Sequence, residues 1–538
     1  HYKAVGIYRA LTLNMMKMDL MLFLTLLLLV PLSTGLKVLL MPVPGVYSHL
    51  VYFTAVGEEL LQQGHKVGIM VTPDLQGKLP TSFKNANVQI HLINTNKSED
   101  EISGLVLKMA NDQFKRASLF DVIPSMRRIV DVINDAVIAF LDDKKAMNSL
   151  RAGHYDIAIV DGFFMSGSPF IIPYALDIPF CSLSSMYHGT LMGIPALPSF
   201  VPSKGALYTD KMTFLQRVSS FFGTIIFDRI MSKVILGEAG GDSLVRKYAP
   251  NKPVMNIYPE LKQQSLIWLI QQDSLLEFQC PVMDNVIMVG GLSVYPPQAL
   301  STELEEFISK ATHGVIIVSF GSLLTTLDAT ITDKLITAFK GLKQSVIWKF
   351  TGNKEDLPPH IKLLKWLPQN DLLARPEVKL FITHCGNNGQ FEALHYGVPM
   401  LGLPTTADQP HNAVRMQHKG YGIAMNMLDF TAEDLSRNIN EILTNSTYKE
   451  NIQKASMILR SKGSPRKRAV EAITHVAKFG GDHLRPSSLG MPFWKLWMLD
   501  IYVFLTIVVI ILILLLKFLL KCAFKMAGRM YQSKIKVD

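Results

Sequence analysis

The stretch FITHCGNNGQFEALHYGVPMLGLPTTADQP, Phe381 to Pro410, decides the fold. It opens on an apolar run, breaks at a Gly/Asn turn and continues with a helix-like segment. A second apolar run follows, and then the acidic-amide pair Asp408-Gln409. Short apolar runs bounded by turn residues read as strands buried on both faces, the kind found in parallel sheets. Working outward, the alternation recurs. GVIIVSFGS (Gly314–Ser322) is a strand with a glycine turn, Ile331–Leu342 has helical spacing, and SVIWKFTG (Ser345–Gly352) is a strand. Nearer the N-terminus, Val38–Val43, a helical stretch from about Leu50 to Gln63, a stop at Gly64 and Lys66–Val71 form a βαβ unit. DIAIVDG (Asp156–Gly162) adds another buried strand. Two such series predict an α/β fold of two Rossmann-like domains, residues 36–285 and 286–490, facing a cleft. Open α/β sheets bind ligands at the carboxyl ends of their strands, so the cleft is the expected site.

The chain of 538 residues exceeds one ordinary core. Its 49% hydrophobic content and mean hydropathy of +0.22 point to membrane segments. Residues 1–35 read as an upstream piece followed by a signal peptide, with the short apolar core Leu20–Val30 and the small residues Ser33-Thr34-Gly35. Ile501–Leu520 interrupts its apolar run only at Lys517, and a spanning helix needs ~20 residues, so 498–520 reads as a transmembrane helix. Residues 521–538 form a basic tail with Lys521, Lys525, Arg529, Lys534 and Lys536, which the positive-inside rule places in the cytosol. The expected protein is a single-span type I membrane protein with a lumenal body. Lys534 and Lys536 resemble the dibasic K-x-K-x-x signal for retention in the endoplasmic reticulum. The net charge of +10 is partly this tail, and no basic-aromatic cluster in the body suggests nucleic acid. Cys181, Cys280, Cys385 and Cys522 have no zinc or disulfide-framework spacing. The sequons at Asn96 and Asn445 fit a glycosylated lumenal body.

The chemistry-bearing residues sit at strand ends. His384, Gly386, Asn388 and Gly389 lie where a strand gives way to a helix, whose N-terminus offers free N–H groups and a positive dipole end to phosphate. Glu392 lies a turn into that helix. Gly321-Ser322 follows another strand, Asp408-Gln409 a third, and Trp366-Leu367-Pro368-Gln369 supplies an aromatic face beside an amide. In the first half, His49 and Asp161 both follow strands and can face the cleft. An Asp beside a His fixes its tautomer and favours the imidazolium that forms as a proton arrives. Asp156 precedes its strand and should sit at the wrong end.

The run WLPQNDLL…FITHCGNNGQFEALHYGVPMLGLPTTADQP resembles the signature of the UDP-glycosyltransferase family, in its membrane-bound animal branch that includes the UDP-glucuronosyltransferases. The resemblance runs from Leu36 to the C-terminus and implies the GT-B fold, with the donor nucleotide on the second domain. It implies that Trp366 stacks on uracil and Gln369 contacts the ribose. Ser322, His384, Asn388 and Gly389 would hold the diphosphate, Glu392 the ribose hydroxyls, and Asp408 with Gln409 the sugar. It also supports His49 as base and Asp161 as its partner. The chain departs from many vertebrate members in having Cys385-Gly386 and Asn387 where they have Gly-Gly and Ala. No D-x-D motif stands in a sugar-nucleotide loop, so no metal and no cofactor beyond the UDP-sugar are expected, with His384 and the helix N-terminus countering the diphosphate's charge. The expected acceptor is a small lipophilic hydroxyl compound, and MYHGTLMGIPALPSFVP (Met186–Pro202) is a candidate lining for its pocket. By analogy the family allows a homo-oligomer. Transfer to a membrane lipid and a non-catalytic UDP-sugar-binding role are the alternatives. The sequence names neither donor sugar nor acceptor.

Overall fold

The structure is a computed structural model that describes residues 35–95, 101, 104–105, 119–163, 167–195, 197–203, 205–230, 234–321, 327–352 and 356–535. The signal segment, Asn96, Ser322 and the last residues of the dibasic tail lie outside the described residues.

Two parallel sheets carry the chain. The first has strands β1 (Lys37–Met41), β2 (Lys66–Val71), β3 (Gln89–Leu92), β4 (Ile157–Asp161), β5 (Phe180–Ser184), β6 (Trp268–Ile270) and β7 (Val286–Met288). The second has β8 (Val315–Ser319), β9 (Ser345–Lys349), β10 (Ile361–Leu364), β11 (Val378–Thr383), β12 (Met400–Gly402) and β13 (Gly422–Ala424). Their orders are β3-β2-β1-β4-β5-β6-β7 and β10-β9-β8-β11-β12-β13. Each is the doubly wound order in which the direction of winding reverses beside the first strand, and ligands bind at that reversal. In the first sheet it falls between β1 and β4, paired through Met41 and Val160. In the second it falls between β8 and β11, paired through Ser319 and Thr383. All five residues of β4, of β5 and of β8 are buried, which explains the four-residue apolar runs that open β4 and β8.

Six helices position the site. They are α1 (Tyr47–Gln62), α2 (Phe214–Ile230), α3 (Asn387–Tyr396), α4 (Gln409–His418), α5 (Pro465–Phe479) and α6 (Leu499–Ile535). Gly64, at φ +82°, turns the chain after α1 into β2. Helix α5 begins with Ser464 accepting from the Lys467 N–H and with Pro465 in its first turn, both helix-start signals. Helix α6 contains the one stretch, Leu499–Met530, that is long and apolar enough to cross a membrane among the described residues. It continues unbroken into the basic tail that the sequence sets apart at 521.

The sequence-based domain boundary at 286 needs two corrections. Strand β7 belongs to the first sheet, where Trp268, Leu269 and Ile270 pair with Val286, Ile287 and Met288. Helix α5 also returns to the first domain, burying Ala469, Val470, Ile473 and Val476 in one cluster with Val38, Leu40 and Phe53. Neither element has a local signal for its owner, because pairing and packing partners are set by tertiary contact. Ile473 is fully buried there. Ile473→Ala is expected to destabilise the first domain by ~2–5 kcal/mol. Chemical unfolding of the purified chain checks this, and an unchanged midpoint would contradict the docking of α5.

Candidate active site

The cleft between the domains encloses a cavity of about 310 Å³. Its walls include His49, Trp366, Gln369, His384, Asn388, Gly389, Glu392, Asp408 and Gln409. Of the sequence-derived site residues that are described, only Asp161 among the catalytic and donor-site set is absent from this lining. It lies fully buried behind His49.

On the first-domain wall, Asp161 Oδ2 is 2.7 Å from His49 Nδ1. The carboxylate is fixed by the Phe163 N–H, 2.9 Å from Oδ1, and by the Tyr52 hydroxyl, 3.2 Å from Oδ2. Tyr52 Oη also lies 2.6 Å from His49 Nδ1. With Nδ1–H donating to Asp161, the His49 lone pair resides on Nε2. Burial, reinforced by the Asp161 charge, pushes the Tyr52 phenol well above its usual pKa, so it stays a hydrogen-bond donor. Lys262 is fully buried beneath this group, and its Nζ donates to the Phe163 carbonyl at 2.9 Å. Burial lowers its pKa to about 7, against the pull of Asp161. Asp156, as its position before the strand suggests, is spent elsewhere, accepting from the Lys37 N–H at 2.7 Å.

On the second-domain wall, Cys385, two residues past the end of β11, has φ +64°, a left-handed turn that points the chain into α3. Glycines at 321 and 386 make room for His384. A Cβ at either would lie 2.7 Å or 2.4 Å from its Nε2. Burial drops the His384 pKa to about 4, so the ring is neutral at pH 7. In this state it can donate a hydrogen bond to an anion, and a bound anion would pull its pKa back up. The N–H groups of Asn387, Asn388 and Gly389 are in the first turn of α3 and have no intrahelical acceptor. The Asn388 side chain faces the other domain. It donates to the Ser48 carbonyl at 3.1 Å and accepts from Gln271 Nε2 at 2.7 Å. Its backbone, rather than its amide, is left for a diphosphate.

Gln369 Nε2 donates to Glu392 Oε2 at 2.6 Å, and Gly389 allows this approach because a Cβ there would come within 3.2 Å of that nitrogen. Burial raises Glu392 to about 7. Trp366 is 59% exposed, edge-on to Tyr47 with ring centroids 6.0 Å apart, and its ring lies 5.0 Å from Lys349 Nζ. Asp408 accepts from Asn412 at 2.7 Å. Gln409 Oε1 is held by the Thr405 and Thr406 N–H groups at 2.9 and 3.1 Å, which leaves its Nε2 as donor. Asn445 is exposed and caps the following helix by accepting from the Thr447 N–H.

Several partners escaped the sequence reading. Tyr52 stands one helical turn after His49, a spacing that could have revealed it. Lys262 and the pair Glu277–Arg415 have no local signal. Arg415 is 2.5 Å from Glu277 and 2.8 Å from Asn387 Oδ1, bracing the first turn of α3. Burial alone would raise Glu277, but Arg415 and His411 outweigh it and hold it at about 2.

A second, apolar-lined cavity of about 170 Å³ joins the cleft, sharing Ser185 and Asp408 with it. Met186, Leu197 and Pro202 of the suspected acceptor segment line it.

Two facing doubly wound domains with a nucleotide-sized cleft define a glycosyltransferase of the GT-B kind. Solved structures with this fold include CalG4, the calicheamicin glycosyltransferase, at TM-score 0.52, with 16% identity covering 83% of this chain and 99% of that one. The glycosyltransferase VinC in complex with dTDP aligns at TM-score 0.55 with 15% identity, covering 83% and 100%. The chain belongs to the family described as "UDP-glucoronosyl and UDP-glucosyl transferase", which it matches over residues 36–534. Relatives include UDP-glucuronosyltransferase 3A2 of Homo sapiens, 32% identical over 88% of this chain and 91% of that one. UDP-glucuronosyltransferase 2C1 of Oryctolagus cuniculus is 30% identical over 85% and 93%. The chain is thus a UDP-sugar-dependent glycosyltransferase.

The raised Glu392 pKa has a consequence for stability. The folded chain holds this proton to about 7, whereas an ordinary glutamate releases it near 4.5. Its stabilising contribution is therefore full below 4.5 and is lost as pH rises through about 7. Glu392→Gln keeps a neutral group and should gain stability relative to the parent as pH rises across that interval. Urea unfolding at both ends of the interval checks this, and parallel curves would sink it.

Proposed function

We propose that His49 is the general base for transfer of a sugar from UDP to an acceptor hydroxyl, with inversion at the anomeric carbon. The observation that carries this is the 2.7 Å His49–Asp161 pair, with His49 lining the same cavity as the donor-site residues. His49 Nε2 takes the acceptor's hydroxyl proton as its oxygen bonds to the sugar C1. The bond from C1 to the diphosphate oxygen breaks, and UDP leaves with the electron pair. Asp161 stabilises the imidazolium that results. The diphosphate is held by the N–H groups at the start of α3 and by a hydrogen bond from His384. Trp366 offers a face to uracil, Glu392 and Gln369 address the ribose, and Asp408 with Gln409 address the sugar hydroxyls. No divalent cation is assigned a role.

The apolar second cavity supports a small lipophilic acceptor. Among the described lining residues, Lys349 lies by the Trp366 ring with its Nζ donating to the Gly321 carbonyl at 2.8 Å, whereas Asp408 is shared with the apolar cavity. That arrangement supports a neutral hexose as the donor sugar. UDP-glucuronate is the second reading, favoured by the names of the relatives. The body would face the lumen of the endoplasmic reticulum with α6 as its anchor.

Membranes from cells expressing the chain, given a simple phenol and UDP-glucose, UDP-glucuronate or UDP-galactose, test the reading by product mass. The expected result is a hexoside that disappears in His49→Ala, while UDP binding survives. Asp161→Asn should lower kcat by ~10²–10⁴. A glucuronide would select the second donor reading, and turnover unaffected by His49→Ala would remove His49 as base. Turnover in excess chelator should be undiminished, and its loss would show a metal requirement.

A further inference from the structure

Helix α2 is amphipathic the wrong way round for a helix on a water-soluble body. Leu215, Val218, Phe222 and Ile226 recur at helical spacing and are all exposed, Leu215 to 75%. Phe214 and Phe221 widen the stripe. The opposite side carries the small residues Ser220, Gly223 and Thr224. Ser220 is fully buried, accepts from the Ser203 N–H at 2.9 Å and donates to the Val201 carbonyl at 3.1 Å. A Cβ on Gly223 would come within 2.8 Å of Ser203 Oγ. The small face thus docks on the 197–203 loop while the large apolar face points outward. A contiguous exposed apolar surface of this kind marks an interaction site.

What covers that face is indicated by its neighbour. The Phe221 ring meets Trp497 edge-on, with centroids 5.5 Å apart, and α6 begins at Leu499. The segment entering α6 is itself pinned to the body. Ser488 Oγ donates to the Gly193 carbonyl, and Leu489 fills the space beside Gly193, where a Cβ would lie 2.7 Å from its Cγ. The outward face of α2 is therefore held next to the start of the membrane span. Aromatic residues such as Trp494 and Trp497 favour the level of the lipid headgroups. An amphipathic helix at that level buries its apolar face in the headgroup–acyl boundary.

We propose that α2 lies in the interface of the same membrane that α6 crosses, and that the apolar cavity opens toward that lipid. Leu197, Pro198, Val201 and Pro202 of the loop under α2, and Thr224 of α2 itself, line the cavity. Leu197 and Phe200 expose apolar surface on the same loop. Acceptors dissolved in the bilayer then enter sideways without crossing water. This second half rests on the reading of the cavity as the acceptor site, whereas the docking of α2 does not.

The test uses the full chain in phosphatidylcholine vesicles, with Cys280 and Cys522 replaced by serine. A fluorophore is attached to Leu215→Cys, to Phe222→Cys or, as control, to Glu306→Cys on the exposed surface of the second domain. Emission is quenched with doxyl-labelled lipid or with aqueous iodide. Positions 215 and 222 should be quenched by the lipid and shielded from iodide, and position 306 the reverse. Iodide quenching at 215 and 222 equal to that at 306 would overturn the proposal. Shielding from both quenchers would overturn it too, by showing that protein covers the face. For the entrance, Leu215→Asp with Phe222→Asp should raise KM several-fold for a bilayer-partitioning acceptor. KM for a water-soluble phenol and kcat should not change. The same fold-change in KM for both acceptors, or none for either, with the lipid quenching intact, would overturn the entrance and leave the docking. Because the quenching needs no turnover, it stands apart from any failure of the assigned chemistry.

Discussion

The first turn of α3 is the constraint on which the site depends. Asn387 donates to the Gln271 carbonyl at 2.8 Å, and Asn388 exchanges hydrogen bonds with Ser48 and Gln271. These contacts lock the N-terminal end of α3 in the second domain to the first domain, one residue from His49. The side chains of that turn look across the cleft, while its backbone N–H groups remain for an anion. Arg415 and Glu277 brace the same turn from behind. A buried pair of this kind adds little net stability, but removing one partner leaves an uncompensated charge, so it serves to fix geometry.

The site's acidic side chains acquire different tasks from their surroundings. Asp161 is buried yet accepts from Phe163 N–H and Tyr52, so its charge is satisfied and can orient an imidazole. Glu392 is buried against a single amide donor, and desolvation wins, raising it to about 7. His384 shows the same physics with the opposite charge. Enclosed by Gly321 and Gly386, it loses its proton to burial and becomes a neutral donor. Catalytic sites commonly separate their groups in this way, by environment rather than by residue type.

Helix α5 explains how the two domains become one unit with the apolar helix α6. After the second sheet is complete, the chain returns to the first domain and buries Val470 and Ile473 beside Phe53 of α1. Arg466 reaches the Leu292 and Val294 carbonyls, near the end of the interdomain connection. From there the chain reaches Ser488, bonded to the Gly193 carbonyl, then Trp497 against Phe221, and α6. The position of α6 against the body is thus set by contacts within the first domain, although α6 follows the second in sequence.

The sequence by itself determined the alternation of strands and helices, the apolar span and the placing of Asp161 and His384 at the ends of β4 and β11, whereas His49 falls in the first turn of α1 and Asp408 six residues past β12. These are local facts, since parallel strands buried on both faces are rich in apolar residues and their carboxyl ends lie on the ligand side of the sheet. The sequence did not reveal that β7 and α5 belong to the first domain, because a short apolar strand or an amphipathic helix does not encode which core it will join. Nor did it show that the Asn388 amide is turned to Ser48, that His384 is neutral, or that Lys262, Glu277 and Arg415 stand behind the site. Those properties are matters of burial and of partners far apart in the chain, 138 residues for Arg415 and Glu277. The apolar face of α2 also has readable spacing, but its direction does not. Only the tertiary structure decides that the small residues point inward and the large ones out, because that depends on the loop at Ser203, which approaches too closely for anything larger than Gly223.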